Sequence, residues 1–301
     1  MLNKLTDYLS KEDYFKEYSS IFRILLCILI FNKIYILWGN ISILLSSDSF
    51  YIHYNNIFDL FGISNDFVFE NIKILLLLIV FTLILVLFGI GKNILVFILF
   101  IQIYFINSYI STILNGGDNL MIFVLMYFIF VNSFISPNEI KSTKNKKYVN
   151  FISNIAVYCI LIHICYVYFS TAMHKIHSDV WFNGTAIYYI LNLERFQSPL
   201  SYLIKDNPII STIFTYFTLI FELFFCVLIW NKRYRNIFLV SGILLHLSIF
   251  FFMMIFDFQL FFISIYGFFL TNDEWVKIKS KFNLMKNYIL NRKDINKLEL
   301  K

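Results

Sequence analysis

Residues 73–91 read KILLLLIVFTLILVLFGIG, an apolar run interrupted by Thr82 and closed by Gly89 and Gly91. About 20 mostly apolar residues are needed to span a bilayer as a helix. The run also lacks the alternation of apolar and polar residues that marks an outer-membrane strand. It predicts a membrane helix, and the rest of the chain repeats the pattern. Spans are expected near 20–39, 74–90, 93–110, 119–136, 150–170, 208–230, 236–255 and 258–271. The sequence thus predicts an all-α, polytopic membrane bundle of about eight helices. The last two runs are parted only by Asp257, with Gln259 as a second polar signal. They read either as two short tilted spans or as one span plus a re-entrant piece.

Composition excludes a soluble alternative. Of 301 residues, 59% are hydrophobic and 15% charged, with 37 Phe and 20 Tyr. A soluble domain carries about 25% charged residues to cover its surface, so lipid must solvate much of this chain. The first 19 residues are charged and mildly amphipathic, without the apolar core and small-residue cleavage site of a signal peptide. Insertion is expected to be driven by the first span. Cys27, Cys159, Cys165 and Cys226 all fall in apolar runs and read as small buried hydrophobes.

Basic residues set the expected orientation. Residues 1–19, 91–93, 137–149, 231–235 and 272–301 hold 19 Lys and Arg, whereas 40–72, 111–118 and 171–207 hold 3. By the positive-inside rule the first set is cytoplasmic, which places both termini inside. The net charge of +6 is then a topology signal with affinity for anionic lipid, and nucleic acid is not expected as a partner. Three segments result: a cytoplasmic amphipathic N-terminus (1–19), a transmembrane domain (20–271) and a basic cytoplasmic tail (272–301). In the tail, Trp275, Ile278, Phe282, Met285 and Ile289 recur at helical spacing among lysines, as in an interfacial helix.

Ionisable groups at membrane depth are costly and therefore functional suspects. The richest segment is 170–196, STAMHKIHSDVWFNGTAIYYILNLERF, on the side opposite most of the lysines. Lys175 follows an apolar span closely. It reads either as a snorkelling lysine or as a desolvated amine able to act as a base. His174 and His177 would share a helix face, but with only Asp179, His163 or His246 as further ligands no metal site is assigned. Trp181 reads as an interfacial anchor and Gly184 as a turn. Inside spans stand His246 and Glu222; the acid needs an internal partner such as His246, Arg23 or Lys33. Asp118, after Gly116-Gly117, reads as a helix N-cap. His246 and Glu222 are expected to reach the same cavity as Lys175.

The stretch YFSTAMHK followed by WFNGTAIYY, with GDNL before it and an FEL span and an LH span after it, resembles the HTTM superfamily, the membrane domain of vitamin K-dependent γ-carboxylases. WFNGTAIYYIL most resembles the SdpB-like proteins, which mature antimicrobial peptides in bacteria. The resemblance covers about residues 15–275. It implies Lys175 as base, with Trp181 and Gly184 in the same motif and His246 in a later span. The residues expected at the site are therefore Lys175, with His174 or His246 assisting, and Trp181, Asn183, Gly184, Tyr188, Glu222 and Asp118 around a substrate or cofactor pocket. It also implies a lipid-soluble cofactor such as reduced vitamin K or another quinone, a hydrophobic or secreted peptide as substrate, and a location in the bacterial cytoplasmic membrane. Two departures stand out. The carboxylases carry a histidine where this chain has Gly-Gly-Asp, and their large lumenal domain has no counterpart, so peptide recognition is expected to involve a partner maturation subunit. Three readings follow: peptide-toxin maturation, a stand-alone quinone-dependent carboxylase-like enzyme, and a non-catalytic peptide-docking, chaperone or immunity protein.

Overall fold

A computed structural model describes residues 2–45, 62–134 and 143–299. Its helices of ten residues or more are α1 (Leu2–Lys11), α2 (Lys16–Gly39), α3 (Asn65–Leu87), α4 (Lys92–Tyr109), α5 (Gly116–Phe128), α6 (Thr143–Ile176), α7 (Pro208–Leu228), α8 (Lys232–Met253), α9 (Phe256–Tyr266) and α10 (Asn272–Glu299). No strand occurs among the described residues. The protein is a polytopic helical membrane bundle. Lipid-like faces are plain on α3, where Ile74, Leu77, Leu78 and Phe81 are exposed while Leu76, Ile79 and Leu83 are buried.

Six helices, α2, α3, α4, α6, α7 and α8, are long and apolar enough to cross a membrane. The expected spans at 119–136 and 258–271 are shorter. Helix α5 has 13 residues and gives way to turns at 129–134, and α9 has 11 and ends in a 3-10 turn at Gly267–Phe269. At 1.5 Å per residue each covers about 20 Å or less, short of the roughly 30 Å of hydrocarbon. Residues 135 and 136 of the first lie outside the described set.

Both short helices nonetheless run lengthwise through the bundle. Asp118, in the first turn of α5, pairs with Lys33 of α2, while Ser133, just beyond α5, accepts a hydrogen bond from Arg23 of α2. Those two α2 positions are about 15 Å apart along the helix. Likewise α9 starts with Phe258 against Gly117 and ends where Tyr18 of α2 donates to Ser264 O. Phe261, Phe262, Ile265 and Tyr266 of α9 are all buried, and the helix packs between α2, α5 and α8. Because protein covers most of it, and Tyr18 and Trp275 donate to backbone oxygens at its C-terminal end, a full bilayer length is not required.

One end of the bundle gathers the chain's basic segments. Glu17 pairs with Lys279, and Arg235 with Glu274. Tyr18 stacks on Trp275 at 4.6 Å, so the start of α2 and the start of α10 are clamped together. Asn154 of α6 accepts from Tyr14 N and donates to Leu9 O and Glu12 O, which fixes the link between α1 and α2. In α10, Ile278, Phe282 and Met285 are exposed as an apolar stripe, whereas Trp275 is taken up by Tyr18; the side chain of Ile289 lies outside the described set.

Candidate functional site

Helix α6 runs six residues past the expected span and ends at Ile176, so Lys175 sits in its last turn. Side chains on a helix tilt toward its N-terminus, and that tilt aims Lys175 back into the bundle. There Nζ lies 2.5 Å from Glu222 Oε1 of α7. Thr171, one turn earlier on α6, donates to Glu222 Oε2 at 3.3 Å. The Trp181 ring covers the ammonium at 4.5 Å, a favourable cation–π geometry. The side chains of Lys175 and Glu222 are 22% and 10% exposed. Lys175 is therefore held in an ion pair and does not snorkel. The partner of Glu222 is Lys175, not His246, Arg23 or Lys33.

Between α6 and α7 the chain folds into a cap of short helices, Asp179–Phe182, Ala186–Asn192 and Tyr202–Lys205. Two contacts fasten it to α7: Tyr216 donates to Phe182 O at 2.8 Å, and Ile187 N donates to Thr215 Oγ1 at 3.2 Å. Gly184 makes this possible. Its φ is +73°, and a Cβ there would stand 2.9 Å from both Thr212 and Tyr216 side-chain atoms. Only glycine combines that backbone with that approach.

Beneath the cap lies a cavity of about 560 Å³, walled by the cap, α6, α7, α8, α9 and the start of α5. Its walls are mostly apolar, with Lys175, Glu222 and Trp181 in one part and Gln259 in another. Such a volume and lining are typical of sites for small apolar ligands. Arg195 lies on the cavity too and is exposed. A further cavity of about 420 Å³ lies at the basic end, between Tyr14, Lys232, Arg235 and Asp273. The Arg235 on its wall pairs with Glu274, which is 33% exposed and does not line it, so the cap cavity, with both partners of a pair on its wall, is the better candidate.

The structure separates the expected site residues into groups. Lys175, Trp181 and Glu222 line the cavity together. Gly184 is buried beside it and shapes the cap. His174, Asn183 and Tyr188 are exposed and do not line it. His177 is also exposed, with Nδ1 against Met173 O of its own helix. Among the described residues no three His, Cys, Asp or Glu side chains cluster as a metal site. Asp118 does not line the cavity, although Asn115 and Gly116 just before it do. It is not the N-cap of α5 either: Asn115 holds that position, and Asp118 closes a capping box by accepting from Asn115 N. Its other oxygen faces Lys33 Nζ at 2.5 Å, and Lys33 also donates to Asn107 at 2.7 Å.

His246 is 3% exposed and reaches the cavity only through a neighbour. Its Nδ1 meets Gln259 Oε1, its Nε2 lies 2.5 Å from Tyr168 Oη, and Tyr168 Oη lies 2.5 Å from Tyr266 Oη. Tyr168 and Thr171 precede Lys175 by seven and four residues on α6 and share its face, so this chain abuts the ion pair. Tyr168, Thr171 and Gln259 were not apparent as site residues from the sequence. The spacing of 168, 171 and 175 was the available signal, whereas Gln259 reads as a turn.

No family model matches the chain, and no solved structure matches it. The sequence is similar to the sporulation-delaying protein SdpB of Bacillus subtilis (strain 168), with 27% identity over 261 residues that cover 82% of this chain and 79% of that protein.

Proposed function

We propose that this protein acts in the maturation of a secreted antimicrobial or toxin peptide in a bacterial cytoplasmic membrane, with the cap cavity on the outer face and both termini inside. The observation that carries the reading is the buried Lys175–Glu222 pair in the wall of a mostly apolar cavity, in a chain similar to SdpB over four fifths of its length. The charge asymmetry of the sequence supports the orientation, because the basic segments meet at the end away from the cap.

The pair supplies the chemistry. At 2.5 Å one proton can pass between Nζ and Oε1 without separating charge, which is the favoured exchange where charge is poorly solvated. The amine is then a free base at the cavity wall. Thr171 holds the carboxyl group in place, and the Trp181 face steadies the ammonium form after a proton has been taken. The cavity walls fit a lipid-soluble ring carbonyl compound in size and polarity, and a reduced quinone bound there would supply an acidic hydroxyl. Lys175 would take that proton, the ammonium so formed would pair with the oxyanion left on the ring while Glu222 keeps the first proton, and the cap would cover the site.

Lys175→Met and Lys175→Arg test this, since arginine keeps the charge but cannot serve as a base. Peptide activity released by producing cells is expected to fall about 100-fold or more in both, compared at equal amounts of folded protein in the membrane because Lys175→Met also strands Glu222. Full activity in the Met variant would sink the catalytic reading. The apolar walls would then favour simple peptide docking by the same cavity.

A further inference from the structure

The hydrogen-bond chain that runs from Tyr266 to the cavity has a fixed direction. An amide oxygen only accepts, so His246 Nδ1 carries the proton that meets Gln259 Oε1. His246 Nε2 is then an acceptor, and Tyr168 must donate to it; Tyr168 Oη in turn accepts from Tyr266. Every proton along the chain is committed. Tyr266 is itself fixed in place: a Cβ on Gly242 would stand 2.6 Å from its hydroxyl, so α8 presses directly on it. The chain ends at Gln259, which is 1% exposed and lines the cavity. With Oε1 used by His246, its Nε2 has no hydrogen-bond partner among the described residues.

An amide donor on a cavity wall without a protein partner is open to a ligand's acceptor, and three residues on three helices are spent on orienting this one. We infer that Gln259 is a specificity-determining residue, whose amide N–H donates to a carbonyl oxygen of the cavity's ligand. The ligand is an apolar molecule with a carbonyl acceptor at the depth of Gln259, and His246, Tyr168 and Tyr266 are positioning residues that hold the amide the right way round. This rests on the cavity being the ligand site proposed above. Two sources share that chemistry, a peptide backbone and a small ring carbonyl compound.

The test uses the purified full chain in detergent, titrated with two probes: N-acetyl-Leu-Ile-Val-Leu-amide and 2-methyl-1,4-naphthoquinone. Binding is read by calorimetry and by the infrared frequency of ¹³C-labelled probe carbonyls. At least one probe is expected to bind with its carbonyl band shifted to lower frequency. Gln259→Leu should weaken that probe about tenfold and abolish the band shift. Gln259→Glu, of the same shape but lacking the amide donor, should do the same, and it serves if the Leu variant fails to fold. His246→Phe, which frees the amide to rotate, should weaken binding less and broaden the band. A merely structural role would not move the band at all. Binding of neither probe, or an unshifted band with equal affinity in the Leu and Glu variants, overturns the inference. If only the naphthoquinone binds, and through Gln259, the donor stands while direct peptide seating fails. If the peptide binds equally well without Gln259, the peptide reading stands and the donor fails.

Discussion

Among the described residues two largely buried lysine–carboxylate pairs have the same 2.5 Å separation and different surroundings. Lys33–Asp118 joins α2 to α5, with side chains 10% and 15% exposed. Asn107 takes a second lysine proton, and the capping box engages the other Asp118 oxygen. Neither side chain lines the cap cavity, and with Asn107 the pair ties three helices together. Lys175–Glu222 joins α6 to α7 but opens on a cavity, with a hydroxyl and an indole as its other neighbours. An ion pair enclosed by amides and backbone is a fastening. The same pair with one side toward an apolar cavity is, on the proposed function, available as a reagent. On that reading the fourth wall, not the ionic contact, separates structure from chemistry.

That contrast can be broken at either pair. The largest expected effect is on stability at the enclosed one. Lys33→Met would strand Asp118, at a cost of about 3–5 kcal/mol, and the amount of folded protein in membranes should collapse. Adding Asp118→Leu should recover most of it, as judged by melting in detergent. At the open pair, Glu222→Gln retains a partner for Lys175 but cannot accept its proton. Released peptide activity should fall about 100-fold, with a melting temperature close to that of the unaltered protein; a large loss of stability would place this pair with the other as a fastening. Gly184→Ala should cost about 1–3 kcal/mol through its left-handed backbone and should lower activity by lifting the cap, visible as faster proteolysis between 178 and 207.

A third buried acid sharpens the comparison by having no salt-bridge partner. Asp13, outside the membrane-spanning segments, is 7% exposed. Burial pushes its carboxyl up to about 6, against the pull of the Phe15 amide, Asn132 and Lys16. A carboxyl raised in the folded state favours folding below its unfolded value of about 3.9, and that contribution is lost as pH rises through the folded value. The melting temperature should therefore be higher by about 2–4 °C at pH 5 than at pH 7.5 from this group. Asp13→Asn should flatten the difference, which differential scanning fluorimetry would detect.

Apolar run length and charge placement made the helical membrane class legible in the sequence, because both follow from the solvent rather than from tertiary contacts. Lys175, Trp181 and Glu222 were legible as expensive residues. Their meeting was not: it depends on how α6 packs directly on α7, and the cap that brings Trp181 over the pair hangs on Gly184, Thr215 and Tyr216. For the same reason Lys33 was set against Glu222 when its partner is Asp118. His174 and Tyr188 looked equivalent to Lys175 in a list of reactive groups, but one helical position rotates a side chain by about 100°, enough to face it outward. Gln259 was hidden because a polar residue near a chain reversal has a ready explanation, and nothing local reveals that its oxygen is claimed by a histidine on the preceding helix.

The shortness of α9 has a consequence for biogenesis. Eleven residues offer the insertion machinery too little apolar length to be released into lipid alone, so α8 and α9 must enter as a hairpin and slot into a groove already formed by α2 and α5. A nascent chain that has reached only Met253 holds Lys175 and Glu222 but lacks Gln259, Tyr266 and one wall of the cavity. The Lys175–Glu222 pair can thus form before one wall of its cavity does, and docking of the final hairpin completes that cavity.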